Sequence, residues 1–168
     1  MSRHDMEDSV QGMLLNSPIG WLAVMARAEG ICGLYFRDSL PEGCMQTDAP
    51  LLTCAREQLL RYFEGKLTVF DLPLSIRGTA FQKKVWQALC SIPYGETRTY
   101  AQVAALVGSP KAYRAVGLAN NRNRISIIIP CHRVVGADGG LVGYGGGLHR
   151  KRALLDLEHR WGYQQANG

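Results

Sequence analysis

Cys131 and His132 put a thiol next to an imidazole, and Glu158 could complete the set. The thiolate is the nucleophilic form of cysteine, and a proton acceptor beside the thiol can produce it. The pair follows Ser126-Ile127-Ile128-Ile129-Pro130, an apolar run too short for a helix and read as a buried strand that delivers both side chains to its end. Neighbours on an extended chain face opposite ways, so His132 is expected to act through a turn or a bridging water. Downstream, Leu154, Leu157 and Trp161 make the apolar stripe of a helix, and Glu158 lies on that face. A carboxylate facing the core needs a partner. Two pairings are open: His132, giving a Cys–His–Glu relay, or Arg150, Arg152 or His159 at the surface. Alone, a Cys-His dipeptide is a weak signal, equally a buried cysteine beside an unrelated histidine.

The flanking segments must position these groups. Gly139, Gly140, Gly143 and Gly145 to Gly147 surround Tyr144 in a loop able to wall a pocket. Upstream, Thr79-Ala80-Phe81-Gln82 and Thr99-Tyr100-Ala101-Gln102 are capping boxes that open helices, the first carrying Phe81, Val85, Leu89 and Ile92 on one face. The second helix stops at Gly108. Ser109 then caps a third, from Pro110 to about Asn121, with proline at its first position. Two short helices joined by Gly-Ser make a helix-turn-helix pattern. The third helix is mostly small residues (Ala112, Ala115, Gly117, Ala119), with Arg114 as its one long projecting side chain. It could lie against a polyanion or simply pack tightly on another helix.

The first half carries no chemical motif and reads as scaffold. Segments near 9–15, 20–26 and 31–36 look like paired strands, Asp38 to Pro50 like a loop, and Leu51 to Phe63 like a helix ending at Gly65. Leu67 to Ile76 looks like a further strand, and Arg77-Gly78 like a boundary between domains 1–77 and 78–168.

Composition narrows the class. In 168 residues, 46% are hydrophobic and 20% charged, which excludes collagen-like, coiled-coil and wholly disordered chains. No apolar run nears the ~20 residues that span a bilayer. The N-terminal stretch MSRHDMEDSVQG is acidic and polar with no apolar signal-peptide core, so a soluble, cytoplasmic protein is expected. The net charge of +5 is unevenly spread: residues 1–78 hold seven basic and ten acidic side chains (−3), residues 79–168 twelve and four (+8). That imbalance points the second half towards a polyanion. Five scattered cysteines lack metal-ligand spacing, so no metal or other cofactor is expected. Four read as core-filling thiols and Cys131 as the exception.

With these residues in place, Gly78 to Gln82, Ile92 to Thr97, Ala112 to Ala119, Ile127 to Val135 and Gly143 to Glu158 together resemble the O6-alkylguanine-DNA alkyltransferase (methylated-DNA–protein-cysteine methyltransferase) family. The motif Pro130-Cys131-His132-Arg133-Val134 is its specific signature, and the match spans essentially the whole second half. The resemblance implies an α/β N-terminal domain, a ribonuclease H-like small sheet with a helix. It also implies a mainly α C-terminal domain with a winged-helix-like helix-turn-helix. The implied activity is irreversible, single-turnover transfer of an alkyl group from O6-alkylguanine, and from O4-alkylthymine, in flipped-out duplex DNA to Cys131. It assigns His132 as base through water, Glu158 as its partner, Asn123 as brace of the reactive loop, and Tyr100 as stabiliser of the departing guanine. Val134, Tyr144, Gly145 and Lys151 would line the pocket. Arg114 would fill the space of the flipped base, with Gln82, Tyr100, Ala101 and Ser109 on the DNA. The implied partner is double-stranded DNA, with no membrane; the protein would be monomeric, with cooperative binding along DNA left open. Two other readings stay open: a protein that binds the lesion without reacting, and a Cys-His thiol hydrolase.

Overall fold

The computed structural model describes residues 9–167; residues 1–8 of the polar N-terminal stretch lie outside them. The chain divides into two compact units between Ile76 and Arg77.

In the first unit, β1 (Gln11–Ser17), β2 (Gly20–Arg27) and β3 (Gly30–Phe36) form an antiparallel meander. Residues paired across the strands share a face, so Met13 and Leu15 join Leu22, Val24, Ala26 and Leu34 in one buried apolar layer. Helix α1 (Pro50–Phe63) packs against all three strands and buries Leu52, Ala55, Leu59, Tyr62 and Phe63. Two sequence expectations change here. The loop after β3 contains a short strand, β4 (Met45–Gln46), which extends the sheet parallel to β1 to give the order β3-β2-β1-β4. Leu67 to Ile76 forms no strand beyond a single parallel bridge between Ile31 and Leu74. Pro73 lacks an N–H for a ladder. Upstream, the Gln58 amide holds Asp71 at both its N–H and its carbonyl, each at 2.9 Å, in place of a neighbouring strand.

The second unit opens with α2 (Ala80–Cys90), followed by β5 (Arg98–Thr99) and α3 (Tyr100–Leu106). Both helices carry full capping boxes, on Thr79/Gln82 and Thr99/Gln102. Next come α4 (Tyr113–Asn121), a 3-10 turn at Cys131–Arg133, β6 (Val134–Val135) and α5 (Leu148–Asn167). Strand β6 runs parallel to β5, pairing Arg98 with Val134 and Thr99 with Val135. Helices α3 and α4 pack together as the helix-turn-helix, but α4 starts three residues later than its sequence implies. Ser109 closes α3 instead, its N–H donating to Ala104 O at 3.0 Å after Gly108 turns at φ +76°. Its carbonyl then accepts from Ala112 N–H at 2.8 Å, so Ser109 and Pro110 sit in a turn and α4 begins without a side-chain cap. Arg114 is not alone on its surface: Leu118, one helical turn on, is 61% exposed, and Tyr113 is 48% exposed.

The four other cysteines are not core-filling. Cys54 and Cys90 are exposed, Cys32 and Cys44 half-buried, and only Cys131 is buried. Cys54 lies beside the buried stripe of α1 rather than in it, and Cys90 is the last residue of α2.

Candidate functional site

The expected strand at Ser126 to Ile129 is a tight turn. Ile128 N–H donates to Ser126 O at 2.8 Å across Ile127, whose φ is +70°. That is a γ-turn with positive φ at a β-branched residue, a conformation costing ~1–3 kcal/mol and held only by its surroundings. The surroundings are visible. Asn123 Nδ2 donates to Ile129 O at 2.8 Å, and its Oδ1 accepts from Ile125 N–H at 2.9 Å, so one amide spans the turn. Asn120, buried on α4, donates to the carbonyl of Cys131 at 3.4 Å. Trp86 of α2 donates its indole N–H to Ala119 O at 2.8 Å, which fastens α4 from behind. The turn leads Cys131, His132 and Arg133 into the 3-10 turn, all three buried.

His132 and Glu158 meet. Nε2 lies 2.7 Å from Glu158 Oε1, and neither side chain is exposed. Of the pairings left open for Glu158, the one with His132 is formed. The other imidazole nitrogen, Nδ1, is buried and has no protein hydrogen-bond partner. Glu158 carries more donors than sequence reasoning gave it: Arg133 contacts both of its oxygens, and Gly95 N–H reaches Oε2 at 3.3 Å. Gly95 has φ +80°, and a Cβ there would stand 3.4 Å from the Glu158 carbonyl, so glycine suits the turn that presents this N–H.

Electrostatics follow from the packing. Burial pushes the Glu158 pKa up, but His132 and Arg133 overrule it and hold the carboxyl down at about 2. Burial pushes the His132 pKa down, against the pull of Glu158, so the ring favours its neutral form. Burial pushes the Cys131 thiol up, with hydrogen bonds from Asn123 and Ser126 and the charge of Lys151 opposing it. The Lys151 side chain is fully buried at the start of α5 and donates to Val142 O at 3.0 Å; burial lowers its pKa.

The remaining expected residues fall as follows. Val134 is fully buried in β6, directly after the 3-10 turn. Tyr144 is half-buried in the glycine-rich loop, its hydroxyl pKa raised by burial and then by Cys131. Gly145 is exposed, with open space where a Cβ would stand. Tyr100, the first residue of α3, donates its hydroxyl to Val142 O at 3.0 Å. Ala101 is exposed, Ser109 half-buried, and Arg114 exposed on the first turn of α4 with its guanidinium 6.0 Å from the Tyr113 ring centre. Gln82 has its side-chain oxygen engaged by Thr79 N–H in the capping box. Sequence reasoning missed Arg133 and Asn120. The signal for Asn120 was its place one turn after Val116 on the buried face of a helix.

No three His, Cys, Asp or Glu side chains cluster as a metal site among the described residues, and no helix there is long and apolar enough to cross a membrane.

Comparison with known proteins covers both units. The family described as 6-O-methylguanine DNA methyltransferase matches through its ribonuclease-like domain at residues 12–76 and its DNA binding domain at residues 80–160. The methylated-DNA–protein-cysteine methyltransferase of Methanosarcina barkeri is 52% identical over 150 residues, 86% of this chain and 94% of that protein. The protein of the same name from Mycobacterium tuberculosis is 50% identical over 147 residues, 86% and 89% of the two chains. Among solved structures, Mycobacterium tuberculosis OGT in complex with DNA aligns with a TM-score of 0.84 and 47% identity, covering 90% of this chain and 94% of that one.

Proposed function

The chain belongs to the 6-O-methylguanine DNA methyltransferase family, and on that footing we propose that it repairs alkylated DNA by moving the alkyl group to Cys131. The substrate is O6-alkylguanine, and secondarily O4-alkylthymine, in duplex DNA. The observation that carries this reading is the buried arrangement of Cys131, His132 and Glu158, with Nδ1 of the imidazole unengaged by protein.

A buried thiol whose ordinary pKa is ~8.5 is protonated at neutral pH and must lose its proton to react. His132 accepts it at Nδ1 through a water molecule, while Glu158 orients the ring and stabilises the imidazolium that forms. Lys151, Asn123 and Ser126 stabilise the thiolate. The sulfur then attacks the alkyl carbon: an S–C bond forms, the C–O6 bond breaks, and its electron pair stays on the base. Tyr100 turns its hydroxyl from Val142 O to the departing guanine and gives it a proton, so the base leaves neutral. The tyrosinate regains a proton from solvent and the imidazolium releases the thiol's proton to solvent, so that one proton in all has passed from thiol to base. No group is at hand to cleave the resulting thioether, so each molecule reacts once.

The guanine is stacked and its alkyl carbon buried in the groove until the nucleotide turns out, at a cost of a few kcal/mol. Helix α4 supports that step by presenting Arg114 from an exposed first turn, in a half of the chain that carries the net positive charge. The protein acts as a monomer on DNA in the cytoplasm. A duplex bearing one O6-methylguanine, mixed with the protein at increasing ratio, tests the reading. Repaired duplex is expected to equal the moles of protein added. Continued turnover, or binding of the lesion without loss of methyl, would reject it.

A further inference from the structure

Arg133 is 6% exposed, and the transfer chemistry above leaves it without a task. Its guanidinium is among the most heavily engaged groups in the unit. Nε lies 2.9 Å from Glu158 Oε2 and 3.2 Å from Oε1, and Nη2 lies 2.8 Å from Oε1. Nη1 donates to the Ile92 carbonyl at 2.6 Å, and the guanidinium carbon sits 5.8 Å from the Tyr94 ring centre. Glu158 Oε1 is therefore shared by two neighbours, His132 Nε2 at 2.7 Å and Arg133.

A buried carboxylate with an imidazole as its one partner draws a proton onto the ring, because the ion pair is its cheapest neutralisation. Here the guanidinium, permanently charged, already balances the carboxylate. Other groups face the relay from each neighbouring element. Lys151 approaches from α5, Tyr144 from the glycine-rich loop and Tyr94 from the turn after α2; Cys131 precedes His132, and Cys90 at the end of α2 feels Arg133. Of these, only Lys151 adds a second fixed charge, and it too is positive.

We propose that Arg133 is a positioning residue for alkyl transfer, neutralising Glu158 and anchoring its Oε1 at the imidazole so that His132 rests uncharged and able to take the thiol proton. The inference rests on the transfer reading. Within one carboxylate, Oε1 orients the ring and steadies the imidazolium as it forms, while Arg133 balances the charge at rest. Burial already disfavours a charged ring, and Arg133 adds to it; an unanswered Glu158 would pull the ring back towards protonation, and a protonated ring accepts nothing.

The sign is fixed by electrostatics. Removing a positive charge near a base stabilises its protonated form, so the His132 pKa rises in Arg133→Met, by about one unit for a contact of this kind. The test follows His132 by NMR of a ring-labelled imidazole and measures single-turnover methyl transfer across pH, in the native chain, Arg133→Met and Arg133→Lys. In the native chain the ring is expected to be neutral at pH 7. Arg133→Met is expected to move both the ring titration and the acid limb of the rate upward by about one unit. Arg133→Lys should bring both back towards native values while the rate stays several-fold low, since an ammonium cannot span both oxygens. A uniform loss of rate with the titration unmoved, or a native ring already charged at pH 7, overturns the proposal. Where Arg133→Met does not fold, Arg133→Gln takes its place with the same upward shift expected, and an unmoved titration in it overturns the proposal equally. Failure of the native chain to transfer methyl would instead reject the transfer reading, with the ring titration still judging Arg133.

Discussion

Tyr100 and Lys151 donate to one oxygen: the carbonyl of Val142 accepts the tyrosine hydroxyl and the lysine ammonium, each at 3.0 Å. The two donors come from the first turns of α3 and α5, and their shared acceptor lies in the glycine-rich loop, where Val142, Gly143 and Gly145 are exposed. These two bonds help hold a loop with little buried surface of its own, alongside Arg150 Nη1 donating to Gly146 O at 3.0 Å. Lys151→Met should therefore speed amide exchange over residues 140–147 several-fold. The same substitution removes a positive charge that favours the Cys131 thiolate, so methyl transfer at neutral pH should slow. Unchanged exchange in the loop would contradict this fastening.

Glu158 makes stability depend on acid. Its carboxyl sits at about 2 in the folded chain against an ordinary 4.5. A depressed carboxyl contributes stability that is present above the unfolded value and lost as pH falls through the folded one. Between pH 4.5 and 2 the loss should be on the order of 3 kcal/mol. Glu158→Gln, which leaves Arg133 buried without its counter-charge, should cost ~3–5 kcal/mol at neutral pH. Denaturant unfolding of both proteins across pH checks this, with the gap between them expected to narrow from pH 4.5 to 2.

Asn123 holds a strained turn by both ends of its amide. Asn123→Ala would leave Ile125 N–H and Ile129 O unanswered next to Ile127, at ~1–3 kcal/mol for each buried group. The variant should lose stability and, with the thiol losing a hydrogen-bond donor, should react more slowly at neutral pH than at pH 9. Single-turnover rates at the two pH values measure this; an equal fall at both would leave Asn123 a purely structural brace.

Arg114 is exposed on the first turn of α4 with its guanidinium over the Tyr113 ring, so its contribution should appear only when a base must be extruded. Arg114→Ala is expected to slow methyl removal from duplex DNA by roughly tenfold or more, about 1.4 kcal/mol of a flip that costs a few. Reaction with free O6-methylguanine base should be unaffected. Equal losses on both substrates would contradict a role in extrusion.

Much of this was readable before any coordinates. Both capping boxes are local patterns, complete within four residues, and both form. The stripe of α5 put Glu158 on a buried face, where it meets His132. What failed depended on contacts from afar. Ile127 to Ile129 has strand composition, yet Asn123 and Asn120 force a turn that no propensity would favour. Pro110 suits a helix start, but Ser109 was already engaged in closing α3. Leu67 to Ile76 alternates like a strand and finds α1's Gln58 instead of a neighbouring ladder. Arg133 stood in the motif in plain view; only the distances to Glu158 and Ile92 reveal its engagement.

Cys131 is the proposed acceptor of the alkyl group. The protein, incubated with duplex DNA containing O6-methylguanine and digested, should show one methyl group in place of one hydrogen on the peptide carrying Cys131. Cys131→Ser should show none, and the exposed thiols of Cys54 and Cys90 should stay unmodified. Methyl on another cysteine, or loss of methyl from the DNA with Cys131 unchanged, would contradict it.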